Sequence, residues 1–167
     1  MGRYLGIPLL LIAAIIQTTV IPEIRIGEAG PDLILMLVVI WTLLAGFEEA
    51  VLWALAGGIF ADLLTRMPTG TTALALVIVS FVIGTVPGQI SKNNILFPPL
   101  VVAGSTLAYH TVIMLVLRLT GNDISFFYVL TRISLPGALY NAILILPLFR
   151  LLGGIYERYR PRRIGEP

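Results

Sequence analysis

Cysteine is missing from the sequence altogether, so neither a disulfide framework nor a thiolate metal site can form. Histidine is nearly missing too: His110 stands alone, with no second imidazole to share a metal. Charge is scarce, at 12% of residues, about half of what soluble proteins carry. The sequence has no G-x-S-x-G elbow, no phosphate-binding P-loop and no pair of aspartates within one apolar run. No polar segment is long enough to build a core of its own, so activity is expected inside a membrane or at its two faces, without a catalytic domain outside it. An enzyme therefore has no residues here to perform its chemistry, and no cofactor or metal is expected.

What the chain does have is apolar sequence, 57% of 167 residues. Its eleven basic and nine acidic residues cluster, leaving uncharged stretches at 4–22, 33–47, 50–61, 67–91, 93–117 and 133–149. A helix that crosses a hydrocarbon layer of about 30 Å needs roughly 17–25 apolar residues. Four stretches reach that length unaided, and 33–47 and 50–61 reach it if Asp32, Glu48, Glu49 and Arg66 sit at the interfaces. The expected fold is an all-α integral membrane bundle with spans near 4–22, 31–48, 49–66, 71–90, 94–117 and 133–152, making one domain over 1–152, followed by a basic tail over 153–167. The first run lacks a small-x-small cleavage site before Pro22 and is expected to stay as the first helix rather than leave as a signal peptide.

Six spans put both ends on one side. Placing them in the cytoplasm puts Arg3, Lys92, Arg150 and the tail arginines 158, 160, 162 and 163 inside, seven basic residues against Arg25, Arg66, Arg118 and Arg132 outside. The tail directly follows a span and suits a lipid surface better than a nucleic acid. The outer segment from Arg118 to Arg132 is expected to be a loop, with a turn at Gly121-Asn122-Asp123 and an interfacial aromatic run over 124–130.

Gly46, Ala50, Ala54, Gly58 and Asp62 recur every four residues. Small residues so spaced let a neighbouring backbone approach, either within the bundle or as a groove for a partner's membrane helix. Ser80, Gly84 and Gly88 repeat the spacing, and Gly104 with Ala108 echoes it. Asp62 is an acid inside an apolar span, open to three roles: a pair with Arg66 one turn on, a polar clamp on the following loop, or proton or ion transport. His110 is expected to be a hydrogen-bonded helix-interior residue, and Gln17 and Asn141 interhelical amide contacts. Pro98, Pro99, Pro136 and Pro147 are expected to bend the last two spans. Glu48 and Glu49 form a solvated hairpin tip and the best acidic contact for a cytoplasmic partner.

Pro31-Asp32-Leu33 opening a span, then Gly57-Gly58-Ile59-Phe60-Ala61-Asp62-Leu63-Leu64, and then Pro68-Thr69-Gly70-Thr71-Thr72-Ala73-Leu74-Ala75-Leu76 resemble the MreD family. The likeness covers the first four spans, with Gly58, Asp62 and Gly70 at the family's characteristic glycine and acid positions. Thr72 stands where the family often has asparagine, and the last two spans carry no diagnostic motif. The resemblance implies a non-enzymatic inner-membrane scaffold of the bacterial elongation machinery. It would bind MreC in an assembly with MreB, RodA and an elongation transpeptidase, and help to position peptidoglycan synthesis. It also implies a fold similar to the substrate-binding S-components of energy-coupling-factor vitamin transporters. A substrate-binding subunit is accordingly the alternative function, with Asp62, Arg66 and 124–130 as its pocket candidates.

Overall fold

The computed structural model describes residues 2–25, 27–65, 67–85, 95–122 and 124–159, with side chains from Gly6 to Arg158. Among these the chain is all-helical and has no strand. The helices are α1 (Gly2–Thr19), α2 (Leu33–Ala45), α3 (Phe47–Leu64), α4 (Thr71–Thr85), α5 (Phe97–Leu119), the single turn α6 (Phe126–Tyr128) and α7 (Leu135–Tyr159). A 3-10 turn, Ile21–Ile24, follows α1.

Two helical segments, Phe97–Leu119 of 23 residues and Phe126–Arg158 of 33, are long and apolar enough to cross a membrane. The outer faces carry large apolar side chains along their length, among them Ile12, Leu63, Phe81, Leu100, Leu139 and Leu151. Such a surface suits lipid better than water.

Helix α2 is the axis of the bundle. Every residue from Ile34 to Thr42 is buried, against α1, α3, α4, α5 and α7. Its 13 residues rise only about 20 Å, yet a helix sheathed by others does not have to match the thickness of a bilayer. Gly46, at φ +87°, ends α2 and opens α3 in a tight reversal. A residue with a Cβ resists that conformation, which is why Gly46 heads the small-residue row although no atom crowds it.

The helices alternate in direction. Gly6 near the start of α1 lies against Trp53; Trp53 stacks on Trp41, with centroids 4.1 Å apart, and Trp41 meets Tyr156 of α7 edge-on at 5.6 Å. The described beginning and end of the chain thus share one end of the bundle. The opposite end gathers the starts of α2 and α4.

Two expectations are corrected in the second half. Residues 126–132 of the expected loop are not loop: α6 runs through a π-helical turn, Val129–Ser134, into α7 without a break. Pro136 has no N–H and its ring would strike the carbonyl one turn back. The wider turn just before it, where Leu135 N–H bonds Leu130 five residues earlier, accommodates that defect. Pro98 and Pro99 do not bend a span either. They sit in the first turn of α5, where N–H groups have no intrahelical acceptor to lose. Gly121, at φ +90°, makes the expected turn, and Arg118 closes it by donating twice to Ile124 O, at 3.1 and 2.9 Å.

Candidate functional site

The first four N–H groups of a helix lack intrahelical acceptors. At α2 and α4 these groups are buried, so side chains must supply the acceptors. Asp32 N-caps α2, its Oδ1 accepting from Leu35 N–H at 2.9 Å and from the Gln17 amide at 3.1 Å. Gln17 Oε1 accepts from Ile34 N–H at 3.0 Å. The Asp32 N–H in turn donates to Asn141 Oδ1 at 2.9 Å, and Asn141 donates to Thr106 Oγ1 at 3.0 Å. Three helices, α1, α5 and α7, thereby hold the start of the central one. Asn141 is 0% exposed, and both ends of its amide are satisfied. Gln17 and Asn141 are thus interhelical contacts.

Asp62 does the same for α4. At 2% exposed, it accepts from Gly70 N–H through Oδ2 at 2.7 Å and from Thr72 N–H through Oδ1 at 3.1 Å. Gly70, at φ +97°, turns the connecting segment back toward the carboxylate. Of the three roles weighed, this geometry is that of the polar clamp, with a negative charge at a helix N-terminus where the peptide dipoles favour it. Arg66, the partner in the expected ion pair, lies outside the described residues. Tyr109 of α5 is buried in the neighbourhood of both acids, Asp32 and Asp62, and of Thr72.

His110 departs from expectation. Its ring tilts against Tyr109 at 5.4 Å, but Nδ1 is buried without a hydrogen-bond partner. Gly137 leaves room for it, since a Cβ there would stand 3.7 Å from His110 Cε1.

The small-residue row on α3 faces inward. Ala50, Ala54, Gly58 and Asp62 are buried, and a Cβ on Gly58 would lie 2.2 Å from Ala73 Cα and 2.5 Å from Ala73 N. The chain's own α4 fills the face, which is therefore closed to a partner's helix. Gly84 repeats the device against Phe47, whose Cβ would lie 2.6 Å from an added Cβ. Ser80 is fully buried with its hydroxyl unpartnered, and Gly88 lies outside the described residues. Gly104 and Ala108 behave differently: they line an open groove of ≈ 360 Å³ between α4 and α5, with Val79, Val82 and Leu100, and nothing stands within 4 Å of a Cβ on Gly104.

Glu48 and Glu49 are exposed in the first turn of α3, as a hairpin tip requires. Glu49 also borders a cavity of ≈ 260 Å³ between α1 and α3, beside Gly6, Leu52 and Trp53. Of the candidates for a substrate pocket, Asp62 is engaged by α4, while Phe126, Phe127 and Tyr128 point outward. Tyr128 donates to Glu28, tying the segment after α1 to the last helix.

Asp32 and Tyr109 were not singled out as site residues from the sequence. Asp32 carried a signal, because an aspartate directly before an apolar run is an N-cap signature. Tyr109 had none, since only the packing of α5 against α2 and α4 brings it to the acids.

The family model described as rod shape-determining protein MreD matches residues 2–157. No curated protein and no solved structure matches.

Proposed function

The chain belongs to the MreD family of rod shape-determining proteins, and from that premise we propose that it is a non-enzymatic scaffold of the bacterial inner membrane. It crosses the bilayer several times with both ends in the cytoplasm, holds MreC, and through it helps to site peptidoglycan synthesis by RodA and the elongation transpeptidase along MreB. The proximity of Gly6 and Tyr156 at the tryptophan end supports ends on one side. Capping by Asp32 and Asp62 supports a structural role for the buried acids.

One observation carries the partner assignment: the α3 row is occupied by α4, whereas the groove over Gly104 and Ala108 is open on an apolar outer face. The single membrane helix of MreC packs there, since small residues permit the close contact on which helix association in lipid depends. Gly104→Leu projects into the groove from a position where an added Cβ meets nothing within 4 Å. Co-purification of MreC from a rod-shaped host is expected to fall at least tenfold while the abundance of the variant stays normal, and cells dependent on it are expected to round. Unchanged MreC recovery at normal abundance would remove this groove as the contact.

A further inference from the structure

We propose that the cavity between the outer halves of α1 and α3 binds the phosphate of an anionic membrane phospholipid, with Arg25 as its cationic contact. The cavity holds ≈ 230 Å³ and is lined by Ala14, Gln17, Ile34, Leu64, Thr65 and Arg25. That is several times the share of one water molecule, roughly 30 Å³, and is enough for a headgroup.

Arg25 is exposed, but its side chain lies over Gly30. A Cβ on Gly30 would fall 2.9 Å from Arg25 Cγ and 3.5 Å from Nε, so the absent side chain is the arginine's seat. A guanidinium cannot shed its proton, yet Arg25 has no ion pair among the described residues. Of the neighbouring acids, Glu28 accepts from Tyr128 and Asp32 accepts from Gln17 and Leu35, while Glu23, two residues before Arg25, is exposed and forms no ion pair with it. Thr65 and Thr18 are the hydroxyl-bearing residues of the lining.

Two features select a lipid over a soluble anion. The surroundings are apolar, with Val20, Ile24, Leu63 and Leu64 all strongly exposed. Arg25 follows the 3-10 turn after α1, which, on the proposed reading of α1 as a membrane span, is where the helix would leave the hydrocarbon and phosphates would lie. The planar fork of arginine accepts phosphate oxygens in pairs, while the exposed leucines and isoleucine suit the first methylenes of the acyl chains.

Native mass spectrometry of the purified full chain, titrated with dioleoylphosphatidylglycerol or dioleoylphosphatidylcholine, tests this. Wild type is expected to retain one phosphatidylglycerol at least tenfold more tightly than phosphatidylcholine. Arg25→Gln is expected to erase the preference. Gly30→Ala, which keeps the charge but unseats the side chain, is expected to reduce it, whereas Arg118→Gln, whose guanidinium already serves Ile124 O, leaves it intact. Equal affinity of wild type for the two lipids overturns the proposal, as does an equal loss in Arg25→Gln and Arg118→Gln. If inorganic phosphate alone displaces the lipid at similar concentration, the apolar rim contributes nothing and the lipid assignment fails.

Discussion

Gly58→Ala adds one methyl group at the tightest helix crossing in the molecule. The new Cβ would meet Ala73 Cα at 2.2 Å and Ala73 N at 2.5 Å, and both are backbone atoms that cannot rotate away. Ordinary contact begins near 3.4 Å, so α3 and α4 must separate by about an ångström. Overpacking of that kind costs roughly 1–3 kcal/mol. The cost does not stop there, because Asp62 lies one turn beyond Gly58 and grips Gly70 and Thr72, the latter adjacent to Ala73. Separation by about an ångström carries bonds of 2.7 and 3.1 Å beyond hydrogen-bonding range. Each buried N–H left unmatched costs a further 1–3 kcal/mol, roughly. The expected total is about 3–9 kcal/mol, comparable to the whole stability of a typical domain. Thermal unfolding in detergent, followed by helical circular dichroism, measures it, with Gly104→Ala as the control. That second variant has open space around its Cβ and is expected to be neutral or stabilising by up to about 1 kcal/mol through helix propensity. A midpoint for Gly58→Ala equal to wild type would refute the close crossing of α3 and α4.

Asp62→Asn keeps one carbonyl acceptor and loses the other, so it is expected to be destabilised by about 1–3 kcal/mol, with Asp62→Leu clearly worse; equal unfolding midpoints would show that the carboxylate does not cap α4. Asn141→Leu strips the Asp32 N–H and Thr106 of their partner, and a loss of roughly 1–3 kcal/mol is expected, with faster hydrogen exchange at Asp32; unaltered protection there would count against the network. Gly6→Val drives a side chain into the Trp53 ring, which lies 2.5 Å from the position of the first added carbon. Near-ultraviolet circular dichroism is expected to lose the signature of the Trp41–Trp53 stack, and an unchanged spectrum would contradict the contact between α1 and α3.

The helical class could be read from charge-free stretches because lipid leaves a chain few alternatives to helices, and the stretches near 33–47, 50–61 and 93–117 each contain the body of one observed helix. The same cue misjudged 126–132. Charge at Arg118 and Arg132 suggested a loop, but a helix needs only satisfied backbone and continues past an interface until something stops it. Pro136 does not stop it, since the π-helical turn absorbs the defect. At the site, Asp62 stood out as an acid in apolar sequence, and its clamp on the next segment was among the roles weighed. Its true acceptor count could not be read, because Gly70 and Thr72 N–H groups matter only once they are buried.

By itself the sequence determined that this chain is helical, apolar on its outside and poor in catalytic groups, because composition and charge spacing act residue by residue. It also determined where close contacts are possible, through Gly58, Gly84 and Gly104. Which of those contacts is used inside the bundle and which is left open was decided only by tertiary structure. A glycine permits close approach from any direction, and the packing of α4 against α3 alone closes one row while leaving the groove beside α5 free.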